Sequence, residues 1–387
     1  MVVRFILILF VIALIGLGSA YLLKNANYAI WQNRVISKLA KALPFLLPFF
    51  ALLWWLGFSF NTWLRFPGAA GTAFFLLINI SLIFSLPIAR LVNYTGKLIE
   101  ARNDPPDISR RKFIKTAAAI APAIMTVIPA DGFVRSFSDT TIPQVDIDIA
   151  GLPDDLEGFK ILQLSDLHLG YYFGLDHLEK TLLAAEAYQP DMLVVTGDIA
   201  DDLSIMTDAM KLAGQLKTPY PAFASIGNHE YFRGIRASIR NIEAGPIPLL
   251  LNKHAQFMVG KTPVCIGGAD DPVTLRSDIA GFLDRSMELA FKNAVPSGFR
   301  LLMSHRPRAL DLAEKHNVNL ILSGHTHGGQ IGFNGRSLWE AVNRDGYLWG
   351  KYARGDARLY TTSGMGHWFP FRLGCPLEAP IITLHKA

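Results

Sequence analysis

The sequence predicts an α/β protein, a layered sandwich of strands and helices preceded by N-terminal transmembrane helices. Three observations carry that prediction. Long uncharged apolar runs fill the first 90 residues, short β-prone runs alternate with helix-like patterns from about Gln144, and five of those short runs end in turns bearing glycine, aspartate, asparagine or histidine. The chain has 387 residues, 51% hydrophobic and 18% charged, which excludes a disordered or fibrous protein and points to a part that sits in lipid. Its net charge of +5 is divided: residues 1–115 carry 13 Lys/Arg against 3 Asp/Glu, and the remainder 24 against 29. The basic balance therefore belongs to the N-terminal third, and nucleic-acid binding is not expected of the rest.

Residues 1–100 read as a membrane region with three transmembrane helices. Phe5–Leu23, Leu43–Phe60 and Ala69–Ile88 are uncharged. Each has the roughly 18–20 residues that a helix needs to cross a hydrocarbon core. One such run could be a buried core helix; three in close succession favour lipid. Trp54, Trp55, Trp63, Tyr21 and Tyr28 lie in or near their ends, where interfacial aromatics gather. Were the first run a signal peptide, the other two would still anchor the chain. Lys24, Arg34, Lys38 and Lys41 follow the first run, only Arg65 the second, and Arg90, Lys97, Arg102 and Arg110 to Lys112 the third. Positive charge stays inside, so the first loop and residues 89–115 are expected in the cytoplasm.

Residues 101–143 form a linker. Ser109-Arg110-Arg111-Lys112-Phe113-Ile114-Lys115 resembles a twin-arginine export signal, and the short apolar stretch Thr116–Ala130, broken by Pro122 and Pro129, suits the apolar region of one. The plainer reading is a basic flank that stops the third span. Internal placement departs from the usual N-terminal position, and Ile128 spoils a small-x-small cleavage site before Ala130. Export would place everything beyond outside the cytoplasm, with the twin-arginine machinery as a partner.

Residues 144–387 read as the α/β domain. Strands are expected at Phe159–Leu164, Met192–Thr196, Ala222–Ile226, Val264–Gly267, Phe299–Ser304, Leu320–Ser323, Leu359–Thr362 and Ile381–Leu384. Helix-like patterns fall at Leu178–Tyr188, Ile205–Leu216, Ile279–Lys292 and Arg308–His316. The first strand runs into Ser165-Asp166-Leu167-His168, the second into Gly197-Asp198, and the third into Gly227-Asn228-His229-Glu230. The Phe299 strand runs into Ser304-His305, and the Leu320 strand into Gly324-His325-Thr326-His327-Gly328-Gly329. Ligands of open α/β sheets bind at the carboxyl ends of strands, so these residues are expected on one rim.

Imidazole nitrogens with carboxylate and amide oxygens, and no thiolate, suit Mn, Fe, Zn or Co ions. Seven candidates, Asp166, His168, Asp198, Asn228, His305, His325 and His327, exceed the needs of one ion. With one bridging carboxylate they fill two sites. Two ions roughly 3.5–4 Å apart clamp a phosphate and activate a water. Cys265 and Cys375 are too few for a disulfide framework and form one bridge or none.

The five motifs, in this order, resemble those of the calcineurin-like metallophosphoesterase superfamily over roughly residues 155–385. Ser323–Gln330, Ser363-Gly364-Met365-Gly366 and Pro376-Leu377-Glu378 are similar to its branch of bacterial membrane-linked phosphodiesterases, some of which carry a twin-arginine segment. The resemblance implies a four-layered α/β/β/α metallophosphoesterase sandwich. It implies one divalent ion held by Asp166, His168 and His327, a second by Asn228, His305 and His325, and Asp198 between them. His229 is implied as the catalytic residue that orients the phosphate and protonates the leaving oxygen, steered by Glu230 or Asp201. The family more often has Asp where this chain has Glu230.

The expected function is hydrolysis of a phosphodiester or phosphomonoester by in-line attack of a metal-bridging hydroxide. The substrate is expected to be lipid-linked or part of the envelope, at the extracytoplasmic face of a bacterial inner membrane. A cytoplasm-facing UDP-2,3-diacylglucosamine pyrophosphatase of lipid A synthesis is the alternative, followed by a non-catalytic metal-dependent binding module and a scaffold. His177, His254, His316 and His385 read as surface or packing residues, and His367 as a neighbour of the rim. Arg306, Arg308, Arg354 and Arg372 are each open to either a phosphate or solvent.

Overall fold

The computed structural model describes residues 2–26, 34–59, 62–100, 125–273, 278–294, 298–343 and 346–387. They fall into two compact units, residues 1–135 with Phe369–Phe371, and residues 136–368 with 372–387.

The first unit is helical: α1 Val2–Ala26, α2 Arg34–Ser59, α3 Arg65–Glu100 and α4 over 125–135. Each of the three apolar runs, as far as its residues are described, lies in its own helix. One stretch, Arg65–Val92, is long and apolar enough to cross a membrane by length and composition, and α1 and α2 contain the shorter apolar stretches Phe10–Leu22 and Phe45–Gly57. A Cβ on Gly68 would stand 2.3 Å from the Trp54 backbone nitrogen, so α3 meets α2 there at a distance only glycine permits. Buried Ser19 Oγ donates to the Asn79 carbonyl at 3.3 Å and so joins α1 to α3. The twin-arginine-like segment Ser109–Lys115 lies outside the described residues. The apolar stretch Thr116–Ala130 is described from 125, where it is part of α4.

The second unit is built on two sheets. The first has the order β1 (Gln144–Ile149), β13 (Ile381–Lys386), β2 (Lys160–Leu164), β3 (Met192–Thr196), β4 (Phe223–Ser225). Strands β2, β3 and β4 run parallel, and β13 is antiparallel to β2. The second sheet has the order β11 (Gly350–Arg354), β12 (Ala357–Thr361), β8 (Leu320–Ser323), β7 (Phe299–Met303), β6 (Thr262–Gly268), β5 (Lys253–Val259). Its four central strands are parallel and its two edges antiparallel. A two-stranded hairpin, β9 (Gly332–Phe333) and β10 (Arg336–Ser337), stands apart from both sheets.

Side-chain alternation along the strands sorts the core into three layers. Leu162, Leu164, Leu193 and Val195 pack with Leu178 and Leu182 of α5 (Leu175–Glu186) and Met206 and Met210 of α6 (Met206–Ala213). Their neighbours Ile161, Met192 and Val194 face the other way and pack with Val264, Ile266, Leu301 and Leu320 between the sheets. Leu302, Ile321 and Leu359 pack with Met287 of α8 (Ile279–Ala290). The succession is helices, sheet, sheet, helices, as the resemblance implies. Buried Gln163 ties the sheets near the rim, donating at 3.0 Å to Thr196 Oγ1 and at 3.0 Å to the Ser323 carbonyl.

Eight expected strands are present to within two residues at either end. Those missed are the short hairpin strands β9 and β10 and three edges of the two larger sheets, β1, β5 and β11, where half the side chains meet water. β1 alternates exposed and buried residues, with Asp146 and Asp148 on the wet face. The pattern expected as a helix at Arg308–His316 is a 3-10 turn over Pro307–Leu312, begun by Pro307. Helix α7 (Asn228–Glu243) was missed altogether. Its inward face, Tyr231, Ile235, Ser238 and Ile242, has helical spacing, but five Arg and Glu residues dilute the apolar signal.

Candidate metal centre

The five motif turns meet at the carboxyl ends of β2, β3, β4, β7 and β8. Hydrogen bonds join them in pairs: Asp166 N donates to the Gly197 carbonyl at 3.1 Å, His168 N to the Asp198 carbonyl at 3.0 Å, and His325 N to Asp166 Oδ1 at 3.0 Å. The backbone is bent hard to do this. Asp166, His168, Asp198, His325 and His327 all adopt positive φ, between 45° and 71°. For residues with a Cβ this conformation costs about 1–2 kcal/mol each, and such strain collects at functional sites. The glycines beside them leave no space for a side chain: a Cβ on Gly324 would stand 2.0 Å from Asp166 Oδ2, and one on Gly227 would stand 2.3 Å from Asp198 Oδ1.

Six of the seven candidate ligands come together in overlapping groups, and Asn228 directly follows Gly227, whose ideal Cβ would stand 2.3 Å from Asp198 Oδ1 and 2.8 Å from His305 Nε2. The ligand atoms of Asp166, His168 and His327 lie within 4.8 Å of one another, as do those of Asp198, His305 and His325, and those of His168, Asp198 and His229. His168 Nε2 and His327 Nε2 are 3.2 Å apart, and His305 Nε2 is 3.1 Å from Asp198 Oδ2. Asp198 Oδ2 lies 3.6 Å from His168 Nε2 as well, so one carboxylate stands between the two groups. Buried Asn228, at the start of α7, has an amide oxygen without a hydrogen-bond partner. Buried polar atoms are seldom left so, and an acceptor oxygen orphaned beside an acidic cluster fits a cation.

The electrostatics agree. Although burial opposes it, the carboxylates of Asp198 and Asp166 raise His305 to about 10, so the cluster attracts a proton where positive charge is lacking. Burial, with the Arg306 guanidinium and His305, holds His325 well below the ordinary imidazole value, and burial with His168 and Arg372 does the same to His327. Neutral imidazoles are what a metal needs.

Residues around the ligands fix their rings. His305 Nδ1 meets the Thr196 carbonyl at 2.8 Å, which assigns that nitrogen a proton and turns Nε2 to the cluster as the atom an ion would take. Asp201 takes His168 Nδ1 on Oδ2 at 3.2 Å and His229 Nδ1 on Oδ1 at 2.7 Å. Against the pull of burial, those two histidines hold its carboxyl well below the usual carboxylate range. His229 lies edge-on to His168, with ring centroids 4.4 Å apart, and its N–H donates to Asp198 Oδ1 at 2.8 Å.

Of the two carboxylates expected to steer His229, Asp201 does so. Glu230 instead accepts the backbone N–H groups of Gly227, Asp198 and Ile199 at 2.7, 3.0 and 2.9 Å, locking the second motif turn to the third. Burial, and then Asp198, push its carboxyl up to about 7.

Arg306 is buried, bonded to Asp271 at 2.8 and 3.2 Å and to His325 Nε2 at 2.5 Å. Asp271 escaped the sequence reading, yet it follows the end of β6 as the other acidic residues follow theirs. Arg372 is buried too, donating to the carbonyls of Ser363 at 2.7 Å and Gly366 at 2.6 Å, with His327 Nδ1 at 3.2 Å. Arg308 and Arg354 meet Asp311 on the surface. His367 is fully buried beside the rim, packed against Phe137, Tyr172 and Phe173, with Gly366 before it bonded to the Asp166 carbonyl. His177, His254, His316 and His385 bond to Thr140, Ala290, Asp284 and Glu157, outside the cluster. Cys265 and Cys375 are separate buried thiols.

A family model described as calcineurin-like phosphoesterase matches residues 159–329. A transmembrane protein with metallophosphoesterase domain from Danio rerio is 27% identical over 80% of this chain and 72% of its own length. The metallophosphoesterase YkuE of Bacillus subtilis is 29% identical over 72% of this chain and 98% of its own. A metallophosphoesterase of Aquifex aeolicus is 30% identical over 62% of this chain and 89% of its own. The matched span contains all seven candidate ligands and His229, and the chain belongs to the calcineurin-like metallophosphoesterases.

Proposed function

We propose that the chain is a membrane-anchored, two-metal phosphodiesterase acting on a lipid-linked or envelope phosphoester. The observation that carries the reading is His229, held by Asp201 through Nδ1 and by Asp198 through its own N–H, against both candidate ligand groups. Asp166, His168 and His327 would hold one divalent ion, and Asn228, His305 and His325 the other, with Asp198 shared. Bound ions would neutralise phosphate charge and lower the pKa of a water.

The rest is the work of side chains. Asp201 fixes the proton on His229 Nδ1 and stabilises the ring when it is positive, leaving Nε2 to protonate the departing oxygen. Arg306, braced by Asp271, and Arg372 oppose protonation of His325 and His327 and keep both rings available as ligands. Glu230 maintains the register of the turns that bear Asp198 and Asn228.

Membrane anchoring is supported by the apolar length of Arg65–Val92 and by relatives from Danio rerio and Bos taurus whose names describe transmembrane proteins. Export through Arg110-Arg111 would set the domain on the extracytoplasmic face of a bacterial inner membrane. Full-length protein in detergent, stripped by chelator and reloaded with Mn²⁺, is expected to regain hydrolysis of bis(p-nitrophenyl) phosphate. Activity that survives stripping, or hydrolysis of monoesters alone, would remove the two-metal diesterase reading. A reporter fused after Ala387 tests sidedness: activity outside the cytoplasm supports export, and activity inside turns the search to the UDP-2,3-diacylglucosamine pyrophosphatase reaction.

A further inference from the structure

Among the described residues of the second unit, nine large apolar side chains are exposed, and four of them fall within ten positions: Phe333 at 77%, Leu338 at 63%, Trp339 at 47% and Val342 at 76%. The other five are scattered through Leu183, Phe232, Met258, Leu289 and Trp368. Single exposed apolar residues are ordinary on a protein surface; a cluster marks a contact with something apolar.

This cluster is built onto the metal centre. Gly328 and Gly329, directly after His327, both have positive φ, and the Trp339 ring occupies the space where a Gly329 side chain would be, 2.6 Å from its ideal Cβ. The β9–β10 hairpin that presents Phe333 is held from the opposite side by Gly332 N on the Leu373 carbonyl and Leu373 N on the Gln330 carbonyl, both 2.9 Å. The surface is thus rigid at its base and apolar at its tip. Its chemistry also names an occupant. Residues 331–354 carry Arg336, Arg344, Lys351 and Arg354 against Glu340 and Asp345, a net +2, or +1 with Asp311, the surface partner of Arg354, within a C-terminal part of balance −5. Tryptophan and aliphatic residues beside excess positive charge match the headgroup region of an anionic phospholipid leaflet.

We propose that the 331–343 segment is an interfacial element, inserting Phe333, Leu338, Trp339 and Val342 into a phospholipid leaflet so that a lipid phosphoester reaches the adjacent metal centre. The inference rests on the phosphodiesterase reading and specifies its substrate as a phosphoester resident in a bilayer. Trp339 serves as the hinge between surface and site, because it packs on the turn that carries His327; the other three residues touch lipid alone.

The test uses the full chain in vesicles of phosphatidylethanolamine and phosphatidylglycerol. A fluorophore is attached to Phe333→Cys, or to Lys217→Cys before β4, away from the ligand-bearing strand ends. The native thiols are both buried and leave the labelling site-specific. Lipid carrying a doxyl quencher near the headgroup end of its acyl chain is expected to quench the first label and spare the second. Quenching of neither label, or equal quenching of both, would overturn the proposal. A Phe333 label already shielded in detergent and unchanged by lipid would assign the face to a second copy of the chain, with the same consequence.

The second arm reads rate. Phe333→Ser, Leu338→Ser and Val342→Ser together are expected to lower hydrolysis of a vesicle-borne phosphatidyl p-nitrophenyl ester by at least about tenfold, from lost apolar burial. Turnover of soluble bis(p-nitrophenyl) phosphate should be unchanged. Equal loss on both substrates, or no loss on either, would contradict the proposal. If the unaltered chain hydrolyses neither substrate, the phosphodiesterase reading fails, while the quenching still reports on the interfacial element by itself.

Discussion

Asp201 carries one imidazole on each of its oxygens, the candidate ligand His168 at 3.2 Å and the candidate acid His229 at 2.7 Å. Removing its charge should therefore act in two places. Asp201→Asn is expected to weaken metal binding about 10–100-fold, as loss of an outer hydrogen bond to a ligating histidine does, and to lower turnover further at saturating metal. Titration of the apo protein with Mn²⁺, followed by turnover at saturation, separates the two effects. A variant impaired in only one of them would show that Asp201 serves one histidine and not both. The contrast with Asp198 is instructive. Asp198→Asn removes the carboxylate shared by both ligand groups, and metal analysis should find loss of at least one ion. Normal content and rate in that variant would displace Asp198 from its bridging place.

At the scale of elements, the site depends on a C-terminal tail that contributes no ligand. Gly366 N donates to the Asp166 carbonyl at 2.7 Å and Met365 N to the Ser165 carbonyl at 2.9 Å, so the segment after β12 clasps the first motif turn. Glu378 secures that segment. Its Oε1 accepts from Trp349 Nε1, Tyr360 OH, Thr362 Oγ1 and Ser363 N at 3.2, 3.0, 2.9 and 3.0 Å. Burial raises its pKa, and the four donors work against that. Glu378→Ala would orphan four buried donors and is expected to destabilise the protein by about 3–5 kcal/mol. Thermal unfolding should shift down by on the order of 10 °C. An unchanged Tm would show that water replaces the carboxylate without loss.

The same elements show what a sequence makes legible. Central strands are apolar on both faces and bounded by glycines, so β3 and β8 are found with their ends correct. Edge strands such as β1 bury one face only, and half their residues are those of a loop. Ligands are legible because each motif joins a strand end to a residue type that binds metal. Partners such as Asp271 for Arg306, or Trp339 over Gly329, depend on contacts between distant segments that no local spacing encodes. Glu230 is the intermediate case. Its proximity to His229 in sequence suggests a role at that ring, but helical geometry at the start of α7 turns its carboxylate to the backbone of the neighbouring turn.

Over the whole molecule, an apolar helical unit and a phosphoesterase unit share one chain, and membrane residence is the proposal that connects them. Metal binding is the claim on which the rest stands. Ligands that bind only the folded state stabilise it, by about 2.7 kcal/mol at 100 times the dissociation constant, so chelation should lower the unfolding temperature and Mn²⁺ restore it. The most direct measurement of the central claim is made on full-length His229→Ala: metal content and phosphodiester turnover, determined on one sample beside the unaltered chain. The account predicts two ions per chain in both proteins and a rate about 10²–10⁴ lower in the variant. Equal rates, or fewer than two ions in the unaltered protein, would contradict it.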